Sequence, residues 1–206
     1  MAETIFDSPY RGSGQLTRQQ FLFFETRIVA KLMQQGYDDQ QIVEIIEADN
    51  LFQFPTEKTV RQVAHGCIDR VHALNDDMLI HLLAEGDSFT AKQICLYAMM
   101  KQFRILWDFM ITVIGEKFKQ RDYTYNRNEL NGFFLRLQEQ DDLVASWSGN
   151  TIKKITSVIS RLLIDNEYID DSKSTKLNPV LIARPLEDAI RDSGDLQALT
   201  AFNCID

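Results

Sequence analysis

Apolar residues recur at helical spacing along almost the whole chain, and strand-like alternation is nearly absent. Phe21, Phe24, Ile28 and Leu32 share one helical face, so a helix is expected from a Thr17 N-cap to about Gln35, closed by Gly36. Asp38 caps a shorter helix with Ile42, Ile45 and Ile46 inward, and Asn50–Pro55 is a connection. Thr56 opens a third helix to about Leu74, striped by Val60, Ala64, Cys67, Val71 and Leu74. This order is a first helix-turn-helix candidate. Asn75 and Ser88 are the expected caps of the next helices. The stretch Ile105–Phe118 is so rich in large apolar groups that burial on more than one face is expected.

The charged stretch Lys117–Asn128 reads as a linker. After it the pattern predicts helices near Glu129–Gln138, Asp141–Trp147 and Thr151–Ile164, then a terminal helix from Pro185 to about Arg191. Tyr168-Ile169 and Leu177–Leu181 are expected to pair as short strands across the Asp170–Lys176 turn, forming a wing. The expected fold is mostly α, with an N-terminal helix-turn-helix, a helical middle and a C-terminal winged helix-turn-helix with a short β wing. The expected divisions are a loosely held arm at 1–16, a helical region at 17–120 and a winged-helix region at 121–206.

Charge makes the C-terminal pattern informative. The 206-residue chain has a formal net charge of -8, yet the Thr151 helix carries Lys153, Lys154 and Arg161 and no acidic residue before Asp165. An acidic whole argues against binding nucleic acid with the entire surface, but screening over roughly 8–10 Å makes the local patch decisive. If this helix enters a major groove, Asn150, Thr151, Lys153, Lys154 and Ser157 lie nearest the bases and phosphates, with Arg161 further along. Lys173 and Lys176 in the wing reach the neighbouring backbone. The competing reading is a solvated face on a domain used for protein contact.

In the first helix-turn-helix the exposed set is Lys58, Arg61 and Gln62, with Thr59 and His65, diluted by Glu57 and Asp69. A third basic group, Lys117, Lys119, Arg121 and Arg127, is interleaved with Tyr123 and Tyr125, a composition that can grip phosphates and stack on bases or simply be solvated.

Other chemistry is poorly represented. Cys67, Cys95 and Cys204 are odd in number and follow no metal spacing, and His65, His72 and His81 lack ligand companions. There is no phosphate-binding glycine loop, nucleophile elbow or zinc-protease motif. Adjacent pairs such as Asp141-Asp142 and Asp170-Asp171 are explained by capping. No enzyme activity, cofactor, metal, small-molecule substrate or membrane association is expected, and the start of the chain lacks the order of a signal peptide.

From about Thr17 to Ile190 the chain resembles the BrxA-type accessory proteins of BREX (bacteriophage exclusion) systems. The resemblance rests on Glu25-Thr26-Arg27-Ile28-Val29-Ala30 in a helix ending at Gly36, and on Asn50-Leu51-Phe52 and Trp107-Asp108-Phe109-Met110. It continues through Phe133-Phe134 to Trp147-Ser148 and Thr151-Ile152-Lys153-Lys154. It implies an all-helical protein with winged-helix-like ends, cytoplasmic and non-enzymatic, that binds double-stranded DNA. It also implies action beside other subunits of the defence system, among them a DNA methyltransferase and large ATPases. It supplies no contact residues. Two alternatives stay open: an adaptor that docks larger defence proteins without touching nucleic acid, and an RNA-binding helical protein.

Overall fold

The computed structural model describes residues 7–126 and 128–205, which fall into two compact units. One unit comprises 21–102 with 183–189; the other comprises 7–20, 103–182 and 190–205. This division differs from the boundary expected near 120, because 103–120 groups with the C-terminal residues.

The first unit is helical. Helix α1 (Phe23–Gln34) packs on α3 (Glu57–Leu74) and α4 (Asp77–Glu85); α3 also packs on α2 (Asp39–Ala48) and α5 (Ser88–Gln102). Local chemistry sets several ends. Asp38 forms a capping box with Gln41, and Thr56 accepts from the Thr59 amide. Gly36, at φ 89°, closes α1 with the Tyr37 N–H returning to the Leu32 carbonyl, a Schellman ending.

Other ends differ from expectation. Helix α1 starts at Phe23, not after Thr17; Ser13–Thr17 is a separate 3-10 helix, and Leu22 enters α1 in the left-handed conformation. The caps of α4 and α5 are Asp76, one residue after the expected Asn75, and Asp87, one residue before the expected Ser88, and Asn75 instead terminates α3 at φ 49°. From Thr90 to Met100 almost every α5 residue is buried, so this helix has no solvent stripe.

Arg70 is completely buried in this unit. Its guanidinium donates to the Phe21 carbonyl, Thr26 Oγ1 and Gln102 Oε1, which satisfies a charge too costly to bury bare. The buried Cys67 and Cys95 thiols lie in the same region, and burial raises both above the ordinary thiol range.

In the second unit one helical run contains α6 (Arg104–Phe109), a π segment (Met110–Gly115) and α7 (Glu116–Lys119). The π segment packs on a short helix that the hydrophobic pattern does not predict, α12 (Ala198–Ala201). Gly115 is required there because a Cβ would collide with Thr200 Oγ1. Helices α8 (Asn128–Gln140), α9 (Asp142–Ala145) and α10 (Gly149–Asp165) follow, and then α11 (Arg184–Ser193), within which the boundary between the units falls.

The described part of the expected arm is not loose. Leu16 is buried, its 3-10 helix packs on α10, and the Tyr10 hydroxyl donates to Asp108 at 2.9 Å. The expected wing forms no β ladder: among the described residues there is no strand. The returning segment makes one bond to Tyr168 (from Asn178 N, 2.8 Å) and pairs instead with 123–125. That pairing is a single antiparallel bridge between Thr124 and Lys176, flanked by Leu177 N to Tyr123 O (2.9 Å) and Tyr125 N to Thr175 O (3.0 Å).

Candidate nucleic-acid interface

Helix α10 begins with a sound cap. Ser148 Oγ accepts from the Thr151 amide at 3.1 Å and shares a 2.9 Å hydrogen bond with the Thr151 hydroxyl. Ile155, Ile159 and Leu162 face the core, which leaves Asn150, Lys153, Lys154, Ser157 and Arg161 exposed and Thr151 half-buried. Ser157 is partly committed, its hydroxyl donating to the Lys153 carbonyl at 2.9 Å.

The cations on this helix are not equivalent. Arg161 pairs with Asp165 at 2.9 Å. Lys153 and Lys154 have no carboxylate partner among the described residues, and the same holds for Lys173 and Lys176 in the turn. The turn is built by side-chain caps: Ser174 Oγ accepts from the Asp170 and Asp171 amides, and Asp171 accepts from the Lys173 amide at 2.6 Å. Its base is fixed by buried Tyr168 and Leu177, the Tyr168 hydroxyl donating to the Ala201 carbonyl at 2.9 Å.

An open cleft of about 610 Å³ lies beside the C-terminal half of α10. Ser157 and Arg161 line it with Tyr125 and with Asp170, Asp171 and Ser172 of the turn. Thus the helix has an uncompensated cationic half near its N-terminus and an acid-lined half beyond Ser157. Hydrophobic periodicity alone did not anticipate this division, although Asp165 four residues after Arg161 is a visible signal for the pair.

The remaining predicted residues belong to the other unit. Lys58, Arg61 and Gln62 are exposed on α3 and line an open cleft of about 470 Å³ with Glu47, Glu57 and His65. Arg61 is held by Glu47 through bonds of 2.7 and 2.8 Å, and this guanidinium keeps the Glu47 carboxyl below the ordinary carboxylate range. Lys58 has no carboxylate partner among the described residues.

The third basic group is not a free cationic linker. Lys117 is paired with Asp122 and Glu129, Lys119 with Glu116, and Tyr125 is buried. Arg121 is exposed, and Arg127 lies outside the described residues. No group of three His, Cys, Asp or Glu side chains among the described residues is placed to hold a metal ion. No helix among them is long and apolar enough to cross a membrane.

The BrxA family model matches residues 9–194. The chain belongs to the BrxA family. One relative, BREX protein BrxA of Bacillus cereus (strain H3081.97), is 33% identical over 165 residues, covering 80% of each chain. BREX protein BrxA of Paramagnetospirillum magneticum (strain ATCC 700264 / AMB-1) is 24% identical over 171 residues, 83% of this chain and 85% of that one. A crystal structure of an uncharacterized protein from Magnetospirillum magneticum superposes with a TM-score of 0.80 at 21% identity, covering 93% of this BrxA-family chain and 98% of that one. That likeness establishes a shared fold.

Proposed function

We propose that this protein is a non-enzymatic component of a BREX phage-defence system that binds duplex DNA, chiefly through phosphates. In this reading α8, α9 and α10 with the 168–178 turn act as a winged helix, α10 enters the major groove, and the turn lies along the adjacent backbone. The observation that carries it is the placement of Lys153 and Lys154, exposed and without carboxylate partners on the N-terminal half of a capped helix. An unpaired lysine brings its full charge to a phosphate, whereas a paired cation must first give up its partner. Lys173 and Lys176 extend the patch, Asn150, Thr151 and Ser157 supply hydrogen-bonding groups, and Arg161 is a weaker contributor because Asp165 holds it. Lys58, Arg61 and Gln62 form a secondary contact set. The site is cytoplasmic in this reading, with the other BREX subunits as protein partners.

The test is a mobility shift of duplex DNA with Lys153→Glu/Lys154→Glu. Both positions are exposed, so circular dichroism and melting should match the wild type while the shifted band is lost. Unchanged binding by the folded double variant contradicts the assignment. Competition with duplex RNA for the same probe separates DNA from RNA binding.

An adaptor role is the second reading. It draws support from the net charge of -8 and from apolar side chains exposed on the first unit, Phe24 being 74% exposed. It predicts no measurable duplex affinity at physiological salt.

A further inference from the structure

The geometry points to Lys117 as a positioning residue for the turn that carries Lys173 and Lys176; its importance for DNA rests on the function proposed above. Lys117 is the second residue of α7, with its side chain only 13% exposed. Its ammonium is 2.8 Å from Asp122 Oδ2 and 3.0 Å from Glu129 Oε1, and so joins the 122–125 segment to the first turn of α8. Burial alone would lower the lysine pKa, but the hydrogen bonds to Asp122 and Glu129 outweigh it and hold the group above the ordinary lysine value.

The relay continues from Asp122. Its other oxygen accepts from the Thr124 amide at 2.9 Å and the Thr124 hydroxyl at 2.6 Å. Thr124 is the residue that bridges to Lys176, and the bonds on either side of it are those from Leu177 to Tyr123 and from Tyr125 to Thr175. The returning limb of the turn is therefore held by a segment too short to form a sheet. A single bridge has little stability of its own, since an isolated two-stranded pairing is marginal in water. The Lys117–Asp122 pair supplies the missing constraint. Removing the ammonium leaves two carboxylates facing each other without compensation, so they separate and Asp122 no longer fixes Thr124.

Two variants test this. Lys117→Met removes the ammonium, and Asp122→Ala cuts the relay while leaving the Lys117–Glu129 pair, which keeps the test informative if Lys117→Met does not fold. Amide hydrogen exchange in the free protein should show protection lost at Leu177 and Tyr125 but retained at Ile155 and Ile159 of α10. The log–log salt slope of duplex binding should become shallower by about 1.8, the share of two phosphate contacts. Adding Lys173→Gln/Lys176→Gln to Asp122→Ala should change the slope no further. Retained protection at Leu177 and Tyr125 in folded Asp122→Ala overturns the proposal, as does a further slope loss in the combined variant. A wild type without duplex affinity contradicts the proposed function, while loss of protection would still uphold the relay itself.

Discussion

Arg61 is clasped by Glu47 from the neighbouring helix, its Nε and Nη2 donating to the two carboxylate oxygens at 2.7 and 2.8 Å. The carboxylate that gives this guanidinium a fixed direction also cancels its charge. Glu47→Gln should therefore release Arg61 for phosphate and steepen the salt slope of duplex binding by about 0.9. Acidification should act in the same direction. The folded-state pKa of Glu47 is depressed by Arg61, so the pair's contribution is present above the ordinary glutamate value and is lost as pH falls through the lower folded value. Identical slopes for wild type and Glu47→Gln would show that Arg61 makes no phosphate contact.

A second prediction concerns stability alone. Glu167 ends α10 at φ 64°, with the Tyr168 amide returning to the Leu163 carbonyl, the ending that Gly36 supplies for α1. A left-handed non-glycine residue is disfavoured by its Cβ. Glu167→Gly should raise unfolding free energy by about 0.5–1 kcal/mol, discounted for the extra freedom glycine gives the unfolded chain. The Asn178 side chain bonds the Glu167 backbone carbonyl, so that contact survives the change. Urea melts check it; a lower midpoint contradicts the strain argument.

Gly115 should be intolerant of any side chain. Gly115→Ala places a Cβ against Thr200 Oγ1, with Thr200 Cβ and the Thr200 backbone carbon close behind. Overpacking of this kind costs about 1–3 kcal/mol. Adding Thr200→Ala should recover only part of the loss, because it removes Oγ1 but leaves the Thr200 Cβ and backbone carbon in place. Equal melting midpoints for Gly115→Ala and wild type would show that α12 moves away freely.

These cases also show why some features were legible in the sequence and others were not. Helices α2 and α3 start at Asp38 and Thr56, whose side chains bond amides three residues on, so their starting signals are local; α10 uses the same device at Ser148 and begins at Gly149, ahead of the expected Thr151. The expected Thr17 start for α1 fails because that region is organised by burial of Leu16 and Phe21 and by the left-handed Leu22, none of which leaves a cap signature. The π segment depends on α12, a contact between residues far apart in sequence. The Lys153–Lys154 face was readable from periodicity and charge. The pairing of Arg61 and Lys117 was not, because Glu47 and Glu129 come to them through tertiary packing. Within what looked like a basic linker, Lys117 is for that reason held in ion pairs.

Phosphate contact by Lys153 and Lys154 is measured most directly by the salt dependence of duplex DNA affinity for the wild type and for Lys153→Gln/Lys154→Gln. Neutral glutamines preserve helix propensity and remove only charge. The log–log slope should be shallower by about 1.8 in the variant, with an unchanged melting temperature. Equal slopes, or a wild-type slope indistinguishable from zero, would contradict it.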